Sequence, residues 1–224
     1  LRTWPRTFAI AERFWSDKYL KDSDDMYQRL LAMNDFAEKI GLLHKKQFHA
    51  GNQGLINTKL DITPLLILAE QLEPAHYYTR HHLKYQQNLY HQNAPLNDFV
   101  DFLPVESLKL VKMQQQLKSY QQGDTEALQL IIDIMRSWHF NFDLAETLIG
   151  KSPKLATLTD VVNDARTINT IGLTIAQSCL AGIKISKQEA KRIKNRLFAI
   201  HREVKEVVIS SGLFVEQVLH ACRV

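Results

Sequence analysis

Apolar residues recur three and four positions apart along nearly the whole chain, and glycine closes many of these stretches. That pairing confines the fold to helices. A period near 3.6 draws one apolar stripe on a helix, whereas a half-buried strand alternates with period two. In 186–211, Ile193, Leu197, Ile200, Val204 and Val207 are spaced four, three, four and three apart. In 153–181, Leu155, Leu158, Val162, Ala165, Gly172, Ala176 and Cys179 share a stripe whose second half is made of small residues, so a neighbouring helix can come close there. Residues 124–149 carry a third stripe through Leu128, Ile131, Ile132, Met135, Phe142 and Leu148, and 104–121 form a shorter helix ending in a Gln-rich stretch. No segment alternates convincingly between turn residues.

Five of the eight glycines, Gly41, Gly123, Gly150, Gly182 and Gly212, sit just past such a stripe, where a helix ends on a left-handed residue. Start signals lie opposite them. Ser152-Pro153 and Thr63-Pro64 pair a hydroxyl cap with proline, Ser186 and Glu189 form a capping box, Asp124 follows Gly123, and Ser23-Asp24-Asp25 puts acid at a helix start. The expected architecture is all-α, about six to eight helices in a bundle. Its longest members, 153–181 and 186–211, form an antiparallel pair across Gly182–Ile185, and 124–149 completes a three- or four-helix bundle. Residues 44–62, with Gly51, Asn52, Gly54 and Asn57, read as a linker. Residues 74–95, with Pro74, four His and four Tyr, read as an ordered but irregular crossing.

Bulk properties exclude some functions. The 224 residues suffice for one core, or for a core plus an extra segment. A net charge of +4 is too mild to require a nucleic-acid partner, and no apolar run reaches the ~20 residues of a membrane span. Cys179 and Cys222 fit neither a disulfide framework nor a metal site and read as small core residues. The chain opens on Leu1 without a signal-peptide pattern, as a processed or excised piece would.

The opening residues are unusually apolar. Over 3–18, Trp4, Phe8, Ala11 and Trp15 are spaced four, three and four apart, and Ile10 and Phe14 widen that face. A helix apolar over this much of its circumference is a buried one. Trp4-Pro5-Arg6-Thr7, Ala9-Ile10-Ala11-Glu12-Arg13 and Phe14-Trp15-Ser16 closely resemble the last barrel helix of glycoside hydrolase family 20, the β-N-acetylhexosaminidases, in which Leu is usual at the place of Phe14. The resemblance continues through Asp24, Tyr27 and Arg29 to Gly41. Leu72-Glu73-Pro74, the run Pro95 to Asp101, and Pro104-Val105-Glu106-Ser107 look like the helical C-terminal extension of many bacterial members. From residue 108 onward nothing specific is matched.

The resemblance implies a TIM-barrel hydrolase that removes terminal β-linked N-acetylhexosamine with retention, its 2-acetamido oxygen attacking while an adjacent Asp-Glu pair assists. That pair lies upstream of the Trp-Pro-Arg helix in the family, and this sequence holds no Asp-Glu dipeptide. No catalytic residue, cofactor site or metal site is therefore carried over. The expected organisation is 1–50 as the last helix of an otherwise absent barrel with its extension, and 51–224 as a helical C-terminal domain. The implied partner is that barrel, met through Trp4, Phe8, Phe14 and Trp15, or a second copy of the chain. The implied role is scaffolding or oligomerisation of a hexosaminidase; the alternative is an independent helical module that binds glycan or protein. The parent enzyme would work in the periplasm or outside the cytoplasm of a bacterium.

Four clusters carry competing readings. His76, His81, His82 and His91 read as a hydrogen-bonded loop cluster, since no Cys or paired carboxylate falls at zinc-like spacing. Tyr77, Tyr78, Tyr85 and Tyr90, with Arg80, read first as rings pinning a loop, and second as a glycan-contact surface. The basic run Lys184 to Lys205 reads as a solvated helix face. Glu106-Ser107 and the pair Asp143 and Glu146 read as capping and surface groups.

Overall fold

A computed structural model describes residues 4–56, 59–75 and 78–222, with backbone only at 78 and 79. Among them are ten α-helices: α1 (Arg6–Trp15), α2 (Ser23–Lys39), α3 (His44–Ile56), α4 (Thr63–Ala69), α5 (Tyr78–Gln87), α6 (Leu108–Gln121), α7 (Thr125–Ile149), α8 (Thr159–Leu180), α9 (Lys187–Ile200) and α10 (Ser211–Ala221). Two three-residue strands, β1 (Leu72–Pro74) and β2 (Val207–Ile209), pair antiparallel with Leu72 opposite Ile209 and Pro74 opposite Val207. The all-α reading holds, with this small ribbon as its one addition among the described residues.

Helix α7 is the central post. Leu128, Ile131, Ile132, Met135, Trp138, Phe142 and Ala145 are all buried on it, following the stripe drawn by the sequence. They pack against α4, α6 and α8, while α10 packs on α8 and α6. Full burial of one such side chain favours folding by about 1.5–3 kcal/mol. Three polar side chains inside this core each donate one hydrogen bond to a neighbouring element. Trp138 Nε1 donates to Glu70 Oε2 at 2.9 Å, Asn141 Nδ2 donates to the Pro64 carbonyl at 2.8 Å, and Asn169 Nδ2 donates to the Met135 carbonyl at 3.0 Å. These bonds fix the register of α7 against its neighbours, because slipping any helix would strand a buried donor.

Local signals worked where the cap itself carries the information. Asp124 accepts from the backbone of Glu126 and Ala127, and Ser186 accepts from that of Glu189. Gly41, Gly123 and Gly182 adopt positive φ as expected of helix ends. Gly150 ends α7 in a right-handed conformation instead, and Gly212 lies inside α10 rather than past a helix.

Four further expectations are corrected. Helix 186–211 stops at Ile200: residues 201–206 turn back, Val204 bridges to Val207, and the β-branched run Val207-Val208-Ile209 becomes β2. The antiparallel partner of α8 is accordingly α7, with α10 packed alongside; α9 touches α8 only slightly. The linker assigned to 44–62 is largely helix α3, whose Gly51 lies against the ring of Phe102 with no room for a Cβ. Finally, Cys179 and Cys222 form a disulfide with Cα atoms 5.5 Å apart, because α10 lays its last turn beside the end of α8.

Candidate docking face and polar hub

Helix α1 buries none of its residues. Its outer side chains Ile10, Phe14 and Trp15 stand in solvent, Phe14 at 81% and Trp15 at 91% exposure. On α2, Met33, Phe36, Ile40 and Leu43 just beyond it are exposed too. The two sets meet, since Trp15 and Met33 border one shallow recess with Phe8 and Leu30. A run of large apolar side chains on adjoining helices is unusual for a surface and marks a site of contact. The burial expected of this helix is thus met only at its first turn. There Trp4 and Phe8 pack with ring centroids 4.5 Å apart, and Trp4 and Pro5 line an apolar cavity of about 240 Å³ with Leu30, Phe48, Pro104 and Leu108.

Charged bridges hold this pair of helices in place. Arg29 reaches across to Glu12 on α1 at 2.6 Å and also pairs with Asp25. Tyr27 donates its hydroxyl to Glu106 at 2.5 Å, and Lys118 on α6 donates to Asp24 at 2.7 Å. Asp24, Tyr27 and Arg29, matched in sequence without a role, each make one of these ties. The Arg29 guanidinium holds the Glu12 carboxyl below its usual range, and Lys118 does the same for Asp24. Behind them His44 is buried against Asn34, whose Oδ1 meets its Nε2, and burial pulls the imidazole pKa below the ordinary value.

A second feature forms where α5, the 3-10 turn Phe99–Phe102 and the ribbon come together. Arg80 is its centre. Its Nη2 lies 2.7 Å from Asp101 Oδ1, its Nε donates to Glu206 Oε2 at 2.6 Å, and its guanidinium carbon sits 4.4 Å from the centroid of the Tyr90 ring. Burial, together with the Glu206 carboxylate close by, pushes the Tyr90 hydroxyl up to about 12. Of the residues singled out as a glycan surface, the fold brings Arg80 and Tyr90 together. Tyr85 stands 73% exposed with its ring 4.7 Å from that of His81, away from the hub. Tyr77 and the side chain of Tyr78 lie outside the described residues. Sequence reasoning missed Asp101 and Glu206. Asp98-Phe99-Val100-Asp101 carries the spacing of a reciprocal cap, which forms. Nothing in the sequence links Glu206 to Arg80, 126 positions away.

The remaining clusters are structural. Ser107 caps α6 through Leu110 and donates its hydroxyl to the Glu70 carbonyl at 2.5 Å. Asp143 and Glu146 both receive Arg166, at 2.6 and 2.8 Å. The basic helix α9 keeps Lys187, Lys191, Arg192 and Lys194 in solvent, and Arg202 just beyond it meets Asp164. His76 lies outside the described residues, and among those described no three metal-binding side chains converge. No described helix is long and apolar enough to cross a membrane.

Comparison with known proteins adds the following. The structure is similar to the X-ray structure of a chitobiase from Flavobacterium johnsoniae, with a TM-score of 0.75 and 18% sequence identity. The likeness covers 97% of this chain and 32% of that one, so this chain spans about a third of the enzyme's length. No family model matches the sequence, and no curated protein does. At this identity the likeness establishes a shared fold, that of one portion of a family 20 chitobiase chain.

Proposed function

We propose that this chain is the helical C-terminal region of a β-N-acetylhexosaminidase of glycoside hydrolase family 20, with α1 the last helix of its catalytic barrel and the rest a buttress for it. One observation carries the reading: α1 presents Phe14 and Trp15 almost fully to solvent, as a helix does when half of its contact lies on another body. Outer helices of such barrels pack their apolar face on the strand ring. The coverage of the structural likeness, nearly all of this chain on a third of a chitobiase, agrees with that division. So does the wording of residues 4–16. In the enzyme, substrate-assisted hydrolysis of terminal β-linked N-acetylhexosamine would belong to the barrel, and this region would hold the barrel's last helix in register through the Arg29–Glu12 and Lys118–Asp24 bridges.

The test is reconstitution. The chain alone should not hydrolyse a chromogenic N-acetyl-β-glucosaminide. Mixed with the separately expressed polypeptide encoded upstream of Leu1, it should form a complex that does. Replacing Phe14 and Trp15 together by Asp should abolish complex formation while leaving the chain folded. Turnover by the chain alone, or an upstream polypeptide without an eight-stranded barrel, would overturn the proposal.

A further inference from the structure

Beside the Arg80 hub lies a recess of about 420 Å³, within the range of small-molecule sites. Four stretches of chain build it: the end of α5, the 3-10 turn at Phe99, the segment before α8, and the turn entering β2. Its apolar lining includes Leu83, Phe99 and Leu158, with the exposed Leu89 at its edge. Its rim carries Gln87, Lys154, Thr157 and Lys205, and its inner wall includes Glu206.

Two independent features mark this recess. Glu206 is buried, its side chain only 8% exposed, and one oxygen is taken by Arg80. The other, Oε1, has no hydrogen-bond partner of acceptable geometry within the chain. A buried acceptor left in that state is uncommon and calls for a reason. The backbone is also unusual there. Asn88, Tyr90, Lys205 and Glu206 are the described non-glycine residues with positive φ, at 54°, 57°, 49° and 62°, and all four border or adjoin the recess. Such conformations persist where surrounding contacts impose them, and they gather at ligand sites. Here the imposing contacts are the Arg80–Glu206 pair, the bond from the Ala75 amide to the Glu206 carbonyl at 2.6 Å, and the stacking of Tyr90 on Arg80.

The charges select the ligand. Lys154 and Lys205 line the recess together with Asp98, Glu203 and Glu206. An anion or a cation entering the recess would meet its own sign in that lining. A neutral molecule whose groups both donate and accept, with an apolar face for the leucines, meets neither penalty. We propose that the recess binds a neutral, hydroxyl-rich ring compound, a mono- or disaccharide, with Glu206 Oε1 accepting from a ligand hydroxyl and Lys154 and Thr157 contacting the rim. This site lies apart from the α1–α2 face and does not depend on docking to a barrel.

Isotope-labelled full chain should be titrated with cellobiose and with N,N′-diacetylchitobiose, and in parallel with glucosamine and glucose 6-phosphate as charged comparators. A neutral disaccharide should shift the amides of residues 83–90, 154–158 and 203–207 saturably, with a dissociation constant on the order of 1 mM. The charged sugars should bind more weakly. The exposed rim pair Lys154→Ala and Thr157→Ala should weaken binding about tenfold with an unchanged melting temperature, which separates loss of contact from loss of fold. Glu206→Gln should weaken it too, and its spectrum shows directly whether the fold survives. Absence of saturable shifts at these amides with either neutral sugar would overturn the proposal. So would binding that the rim variants leave untouched, or tighter binding of a charged sugar.

Discussion

Gly172 sits where α7, α8 and α10 converge, and a methyl group there has nowhere to go. A Cβ would come within 2.6 Å of Val215 Cγ2 and 2.9 Å of Met135 Cε. Methionine can swing aside, but β-branched valine is stiff. Gly172→Ala should therefore destabilise the chain by about 1–3 kcal/mol, seen as a lower urea midpoint at unchanged slope. Adding Val215→Ala should recover part of the loss; strict additivity of the two would show that they do not share the clash. This site was legible, because small residues along 165–179 announce a close helix neighbour. His44 was not. Its burial depends on α2 and α3 folding over it, which no spacing reveals. Burial lowers its pKa from 6.5; nearby Glu38 opposes that shift and Lys45 adds to it. The neutral ring suits the folded state, while the unfolded chain takes up a proton near 6.5. Stability is thus complete above that value and falls as pH drops through it. His44→Gln should flatten the melting temperature between about pH 7.5 and 5.5 relative to the unmodified chain; parallel curves would refute the assignment.

At the scale of elements, the contrast between α1 and α9 shows what periodicity can and cannot tell. Both were read from an apolar stripe. In α9 the stripe ran on through Val204 and Val207, yet the helix stops at Ile200 and only Ala190 and Leu197 are buried on it. The run Val207-Val208-Ile209 was the available signal, since β-branched residues favour strands, but its partner β1 lies 133 positions upstream at Pro74 and is invisible to a local window. The misread segment 44–62 failed in the opposite way: its glycines looked like breakers, whereas Gly51 exists to admit the Phe102 ring. In α1 the stripe was right, yet most of it faces solvent. That makes a clean prediction. Phe14→Ser with Trp15→Ser should change the stability of the isolated chain by no more than about 0.5 kcal/mol, because neither side chain is packed. The same change should reduce retention on a hydrophobic column and concentration-dependent association. A large loss of stability would mean that these rings are buried in solution, in a second copy of the chain.

Across the whole molecule, one apolar cluster runs from Leu55 to Leu219, and α1 and α2 are fastened to its edge mainly by ion pairs and the Trp4 contact. The C-terminal helix is the last element added to that core, and Phe214, Val215, Val218 and Leu219 are buried only when it lies on α8. The Cys179–Cys222 bond ties the end of α10 to the end of α8 across a span of 43 residues. The sequence could not reveal it: two cysteines so far apart carry no framework, and their meeting is a product of the fold. Closing a loop of that size restricts the unfolded chain, worth about 2–4 kcal/mol. Such bonds persist in oxidising compartments. Reduction, or Cys222→Ala, should therefore lower the melting temperature by several degrees, roughly 2–4 °C for each kcal/mol in a chain of this size. Both treatments should have the same effect, and reductant should do nothing further to the variant. Unfolding should remain a single transition, because α10 shares its buried residues with α8 and cannot leave without opening the core. A separate low-temperature step on reduction would instead make the C-terminal helix an independent unit, held in place by its sulfur bond and not by Phe214 and its neighbours.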